Sequence, residues 1–72
     1  IIFIKIKKEI ERLEGEIQKM EEQKTNIETE LANPVTYQDH AIFKQLQTEH
    51  QEIILKIAQL NQKWENLIDQ LA

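Results

Sequence analysis

The apolar residues in the first half of the chain recur at alternating intervals of three and four. From Phe3 to Leu31 they form a heptad pattern, abcdefg, whose a and d positions are apolar except for Lys24. The a positions are Phe3, Ile10, Ile17, Lys24 and Leu31, and the d positions are Ile6, Leu13, Met20 and Ile27. This pattern predicts an amphipathic α-helix that packs along a second helix.

The second half of the chain repeats the same pattern. Its a positions are Phe43, His50, Ile57, Trp64 and Leu71, and its d positions are Leu46, Ile53, Leu60 and Leu67. Two heptad helices of similar length, separated by a short polar segment, are typical of a helix that folds back on its neighbour.

The segment between the two runs carries stop and start signals. Pro34 has no backbone N–H and disfavours helical geometry at Asn33, so it ends the first helix. Thr36 followed by Asp39 is a helix-start signal, with Asp39 itself as an alternative N-cap. We therefore predict helix 1 at about 5–32, a turn at about 33–37 and helix 2 at about 38–71.

Helices joined by so short a connector must run antiparallel. The sequence thus predicts an all-α fold, a two-helix antiparallel coiled-coil hairpin that forms a single domain over residues 1–72. Pairing Leu31 with Leu46 and Ile6 with Leu71 joins an a to a d in every layer. A register one heptad shorter also joins a to d, but it leaves Leu71 unpaired, so we prefer the longer one.

Composition favours an interaction domain over an enzyme. The chain has no cysteine, which excludes disulfides and thiolate metal sites and fits a reducing, cytoplasmic compartment. Neither His40 nor His50 has a partner at metal-binding spacing, and phosphate-loop and catalytic-triad motifs are missing. We expect no catalytic residue, cofactor or metal in this chain. His50 and Trp64 are predicted to be a register-setting polar residue and a core residue of the seam.

Two further expectations come from the first residues and the charge. The Ile1–Ile4 run is far too short to span a membrane, and a start at Ile instead of Met predicts a fragment of a longer chain. Thirteen acidic against nine basic residues give a net charge of −4, which argues mildly against nucleic-acid binding. The hairpin is expected to be monomeric.

The distribution of charge favours nucleic-acid binding more than its total does. Five cations recur at heptad intervals, namely Lys5, Arg12 and Lys19 at c and Lys56 and Lys63 at g. Position c adjoins g, and the two g edges meet in an antiparallel pair, so these cations should form a basic stripe. Glu9 and Glu16 lie between them and should pair with the lysines. Such a stripe suits phosphate contact, although solvated coiled-coil charges would give the same pattern.

The opposite side of the predicted rod has a different character. Helix 1 is acidic there, with Glu14, Glu21 and Glu28 at e. Helix 2 is apolar, with Ile54 and Ile68 at e and Leu55 at f. This apolar strip could dock on a parent domain or form a weak dimer contact.

Three groups of residues carry a resemblance to a known family. They are Lys5 with Lys8-Glu9-Ile10-Glu11 and Leu13; Leu31-Ala32-Asn33-Pro34 with Tyr37 and Asp39; and Lys63-Trp64-Glu65 with Leu67. Together they resemble the C-terminal coiled-coil domain of Uup-type ABC-F ATPases, which are ABC proteins with paired nucleotide-binding domains and no membrane domain.

The resemblance implies a parent protein that hydrolyses ATP with Mg²⁺ and an appendage that binds DNA and supports the ATPase. Some relatives act on ribosomes instead. Lys5, Lys8 and Lys63 stand where the family often has basic residues. We therefore predict a non-catalytic accessory domain that binds DNA without sequence specificity. The predicted contact residues are Lys5, Lys8, Arg12, Lys19, Lys56 and Lys63. The alternative is an arm that docks on the parent ATPase or the ribosome through Ile54, Leu55 and Ile68.

Overall fold

A computed structural model describes residues 2–71, and the predictions for Ile1 and Ala72 lie outside this range. The chain forms α1 (Ile2–Leu31), the short α2 (Pro34–Tyr37) and α3 (His40–Leu71). No strand occurs between residues 2 and 71. α1 and α3 pack along each other in a rod of 54 × 14 × 14 Å. The predicted all-α helical hairpin is confirmed.

The buried side of each long helix is its heptad seam. Ile10, Leu13, Leu46 and Leu60 are between 4 and 9% exposed, and most other a and d residues are half-buried. Lys24 and His50 are half-buried as well, so the two polar a residues stay in the seam. No side chain of residues 2–71 is buried below 2% exposure, because two helices cannot enclose a residue from all sides.

Phe3 is the exception to this pattern. The heptad puts it at an a position, yet it is 55% exposed. In the longer register Ile6 lies opposite Leu71, so Phe3 falls one layer beyond the last seam residue of α3. We call this end of the rod, where α1 begins and α3 ends, the open end. The other end is the turn end.

The contacts across the seam agree with the longer register. Nε2 of His50 lies 3.2 Å from Oε2 of Glu28. Nearer the open end, Leu13 lines a cleft with Leu67, and Ile6 lines another with the same leucine. A register one heptad shorter would shift α3 by about 10 Å along α1 and would separate His50 from Glu28 and Leu67 from Leu13, whereas the cleft shared by Ile6 and Leu67 fits either register.

The turn is more helical than predicted. Asn33 is extended (φ −79°, ψ 126°), and its Oδ1 accepts a hydrogen bond from the Val35 N–H at 3.0 Å. Pro34 follows as the first residue of α2, a position that needs no N–H. A single helical turn, Pro34–Tyr37, therefore lies inside the predicted turn. α1 begins at Ile2, whereas the sequence suggested about residue 5.

Asp39 is the N-cap of α3. Its Oδ1 accepts hydrogen bonds from the N–H groups of Ala41 at 3.1 Å and Ile42 at 3.3 Å. Thr36, the other start signal, lies within α2 and does not cap α3. The helix begins at His40, the residue after the cap, where the sequence suggested about residue 38.

Replacing Gly15 with Ala is expected to raise the free energy of unfolding by about 1 kcal/mol, because Ala loses less backbone entropy in a helix. Gly15 lies on the exposed face of α1, and a Cβ built there meets nothing within 4 Å. Urea unfolding followed by circular dichroism measures the change. Ala58→Gly, at an exposed position of α3, is the matched control and should lower stability by a similar amount. Unchanged or reduced stability of Gly15→Ala would contradict the prediction.

Candidate nucleic-acid interface

Two adjoining clefts run along the side of the rod where the g edges of α1 and α3 meet. The first, next to the open end, is lined by Lys5 and Lys8, and the second by Arg12 and Lys63. Both clefts are also lined by Glu9 and Leu67, so they form one continuous groove. We call it the basic groove and define it by the four cations Lys5, Lys8, Arg12 and Lys63.

Helix geometry explains why these four cations come together. Lys5 and Arg12 are seven residues apart at c, so they lie on one face of α1 about 10 Å apart along its axis. Lys8 lies one turn after Lys5. Lys63 reaches the same face from α3, because the antiparallel register brings it beside Arg12. All four residues are exposed.

The acidic residues of the groove are arranged differently from the prediction. Glu16 pairs with Arg12, at 3.2 Å between Oε1 and Nη1, and not with a lysine. Within residues 2–71, no ion pair joins Glu9 to a lysine either. The Arg12 and Glu16 side chains are 65 and 45% exposed, so their pairing is weak and screened by salt. An incoming phosphate can therefore compete for Arg12.

Lys19 and Lys56 extend the line of cations towards the turn end. Each is exposed, and each lies one heptad further from the open end than Arg12 and Lys63 respectively. Helical periodicity therefore puts them on the same side of the rod as the basic groove. The two clefts that define the groove stop short of them.

The opposite side has fewer exposed apolar residues than predicted. Ile54 and Leu55 are 45 and 61% exposed. Ile68, the third member of the predicted strip, is half-buried. One residue of the acidic side of α1 has a partner on α3, since Glu28 contacts His50 across the seam. The apolar strip is thus reduced to two adjacent residues.

A larger apolar group, which the heptad analysis did not single out, lies at the open end. Ile2, Phe3 and Ile4 are 75, 55 and 57% exposed. The Lys7 ammonium lies 5.0 Å from the centroid of the Phe3 ring, within cation–π distance. The signal in the sequence was that Ile2 and Ile4 are apolar but lie outside the a and d positions.

Two further features bear on chemistry. In the part of the chain that the structure describes, no three His, Cys, Asp or Glu residues cluster so as to hold a metal ion. The Trp64 indole N–H is buried and has no hydrogen-bond partner, although the residue as a whole is half-buried in the seam.

No helix between residues 2 and 71 combines the length and the apolar character that crossing a membrane requires.

Comparison with known protein families assigns this hairpin to one of them. The family model described as "ABC transporter C-terminal domain" matches residues 4–69, which is nearly the whole chain. The chain therefore belongs to the family of ABC transporter C-terminal domains. It is a non-catalytic accessory domain of an ABC protein and not itself an enzyme. Searches of curated proteins and of solved structures found no match.

Proposed function

We propose that this hairpin is the DNA-binding accessory domain of a Uup-type ABC-F ATPase. The observation that carries the proposal is the basic groove, in which α1 and α3 jointly present four exposed cations along one side of the rod. Lys19 and Lys56 continue the contact towards the turn end. In this proposal the monomeric hairpin acts in the cytoplasm, and ATP and Mg²⁺ bind the ABC module and not this chain.

The arrangement of charge explains how a chain of net charge −4 can bind a polyanion. The cations of the groove share one side of the rod, while Glu14, Glu21 and Glu28 follow the opposite edge of α1. DNA would therefore approach the hairpin from one side only. Lysine and arginine contacts to phosphates fix position without reading bases, so binding would be independent of sequence.

The second candidate is a docking arm that contacts the parent ATPase or the ribosome without binding DNA. It is favoured by the exposed Ile54 and Leu55, which are consecutive in α3. Two residues are a small docking surface compared with the groove, and for this reason we rank it second.

Fluorescence-anisotropy titration of the hairpin against duplex DNA, branched DNA and structured RNA tests the proposal. We expect saturable binding to DNA, with log K falling against log salt at a slope of about −4 to −5 for duplex DNA, as four contacts in the groove, or six with Lys19 and Lys56, require. Stronger binding to RNA would contradict DNA as the target. Failure to bind either nucleic acid at low salt would overturn the proposal and favour the docking arm.

A further inference from the structure

The cleft at Arg12 and Lys63 is repeated two heptads closer to the turn end. A second cleft opens there between α1 and α3, and its six lining residues occupy the same heptad positions as six of the seven that line the first. Because the heptad positions match, both clefts lie on the same side of the rod. We call the second one the turn-side cleft and define it by its lining residues, Gln23, Asn26, Ile27, Glu49, Glu52 and Ile53.

The two clefts share an apolar floor but differ in charge. Two isoleucines of the turn-side cleft take the places of two leucines of the first cleft. Asn26 takes the place of Arg12, and Glu49 takes the place of Lys63. Among the six matched residues, the first cleft has two cations and one carboxylate, whereas the turn-side cleft has two carboxylates and no cation. Equivalent surfaces on one side of the rod therefore have opposite charge.

No cation compensates the two carboxylates of the turn-side cleft. Between residues 2 and 71, no ion pair joins Glu49 or Glu52 to a lysine, arginine or histidine. Glu30 adds a third carboxylate to this side of α1, because it stands two heptads after Glu16, which lines the first cleft. The negative charge near the turn end is therefore fully available to act on an approaching anion.

A DNA duplex over the turn-side cleft would meet strong repulsion. A carboxylate repels a phosphate as strongly as a cation at the same distance attracts it. A duplex carries one negative charge per about 1.7 Å of its axis, so several phosphates would lie within the screening length of about 10 Å at 0.1 M salt. Contact with this part of the rod would thus oppose the binding that the basic groove provides.

We propose that Glu49 and Glu52 exclude DNA from the turn-side cleft, so that DNA contact does not extend beyond Lys19 and Lys56 towards the turn end. The inference rests on the proposed function and deepens it. It assigns the position of the DNA on the rod to repulsive residues as well as to attractive ones. The turn end of the hairpin then stays free of bound DNA.

A DNA-cleaving reagent attached to single residues of the hairpin shows where the DNA lies. Gln45→Cys and Gln59→Cys are a matched pair, because both glutamines are exposed and stand two heptads apart at c positions of α3. Gln59 lies between Lys56 and Lys63, whereas Gln45 lies beyond Glu49 towards the turn end. The chain has no cysteine of its own, so iron–EDTA coupled to a thiol is confined to the introduced residue.

The first readout is total cleavage of a duplex longer than the 54 Å rod, at saturating hairpin. Cleavage from position 59 is expected to exceed cleavage from position 45 at least about five-fold, since about 21 Å separates the two positions along α3. Comparable cleavage from both positions would overturn the inference and leave the proposed function intact. Absence of cleavage from either position would overturn the proposed function and the inference with it.

The second readout tests whether the carboxylates cause the exclusion. Asn26→Arg, Glu49→Lys and Glu52→Asn together give the turn-side cleft the polar residues that the first cleft has at these positions. In the Gln45→Cys hairpin, these substitutions are expected to bring cleavage to within about two-fold of that from position 59 and to steepen the salt slope by about 2. Cleavage that stays weak in this variant would overturn the role assigned to Glu49 and Glu52.

A control variant separates the cleft from the net charge. Glu14→Lys with Glu21→Lys raises the net charge of the Gln45→Cys hairpin by the same amount, but on the opposite edge of α1. Cleavage from position 45 should stay weak in this control. An equal gain in the control and in the turn-side variant would attribute the exclusion to net charge and overturn the proposal. Circular dichroism verifies that both variants keep the helical fold.

Discussion

Replacing Leu13 with Ala is expected to lower the free energy of unfolding of the hairpin by about 3 kcal/mol. Leu13 is 4% exposed, the lowest value among the four buried core residues. A native domain of this length is stable by roughly 4–11 kcal/mol in total, so one truncation removes a large share. Neighbouring seam layers do not compensate for this loss of stability, because each seam residue contacts only the facing helix and the adjacent turns of its own helix.

Urea unfolding followed by circular dichroism at 222 nm measures this change. Leu55→Ala is the matched control, since the same atoms are removed from a side chain that is 61% exposed. Its effect should stay within about 0.5 kcal/mol. Equal losses of stability in the two variants would show that Leu13 is not a core residue and would contradict the assigned seam.

Reversing the charges of Lys5, Lys8 and Arg12 to Glu is expected to weaken DNA binding on the order of 100-fold at low salt and to reduce the salt slope by about 3. The three residues supply most of the basic groove. The fold should persist, because all three side chains are exposed and the Arg12–Glu16 pair is worth less than about 1 kcal/mol. Anisotropy titration measures the DNA affinity and its salt slope, and circular dichroism on the same samples measures whether the helical fold persists.

A matched pair of single variants separates the groove from the total charge. Lys63→Glu and Lys44→Glu change the net charge equally and both lie on α3, but only Lys63 lines the groove. Lys63→Glu should lower the salt slope by about 1, and Lys44→Glu should leave it unchanged. Identical effects of the two variants would mean that binding depends on net charge, and the groove would lose its assigned role.

Much of the hairpin was predictable because a heptad seam is a periodic property that a single sequence displays in full. The pattern assigned Lys24 and His50 to the seam although both are polar, and both are half-buried. The antiparallel order of the two long helices followed from the short connector. Lys5, Arg12 and Lys63 then share one groove, because position c adjoins g on a helix and the g edges of two antiparallel helices meet. Lys8, at position f, lines the same groove one turn after Lys5.

The features that the sequence did not predict lie at an end of the rod or depend on the local geometry of single side chains. Periodicity does not count layers, so Phe3 was given a seam position that has no opposite residue in α3. The short helix α2 depends on how the Asn33 side chain caps the residue after Pro34. Glu16 had both a local and a cross-helix cation within reach, and the pattern could not tell that it pairs with Arg12. These details depend on individual side chains and not on spacing.

The antiparallel seam also has a mechanical consequence. The beginning of α1 and the end of α3 lie together at one end of a rod 54 Å long, and the turn Pro34–Tyr37 lies at the other. Bending the rod at its middle would require sliding one helix past the other through every seam layer, so the hairpin behaves as a stiff lever. A small rotation at the open end becomes a wide sweep at the turn end, and a sideways force applied at the turn end acts on the open end as torque.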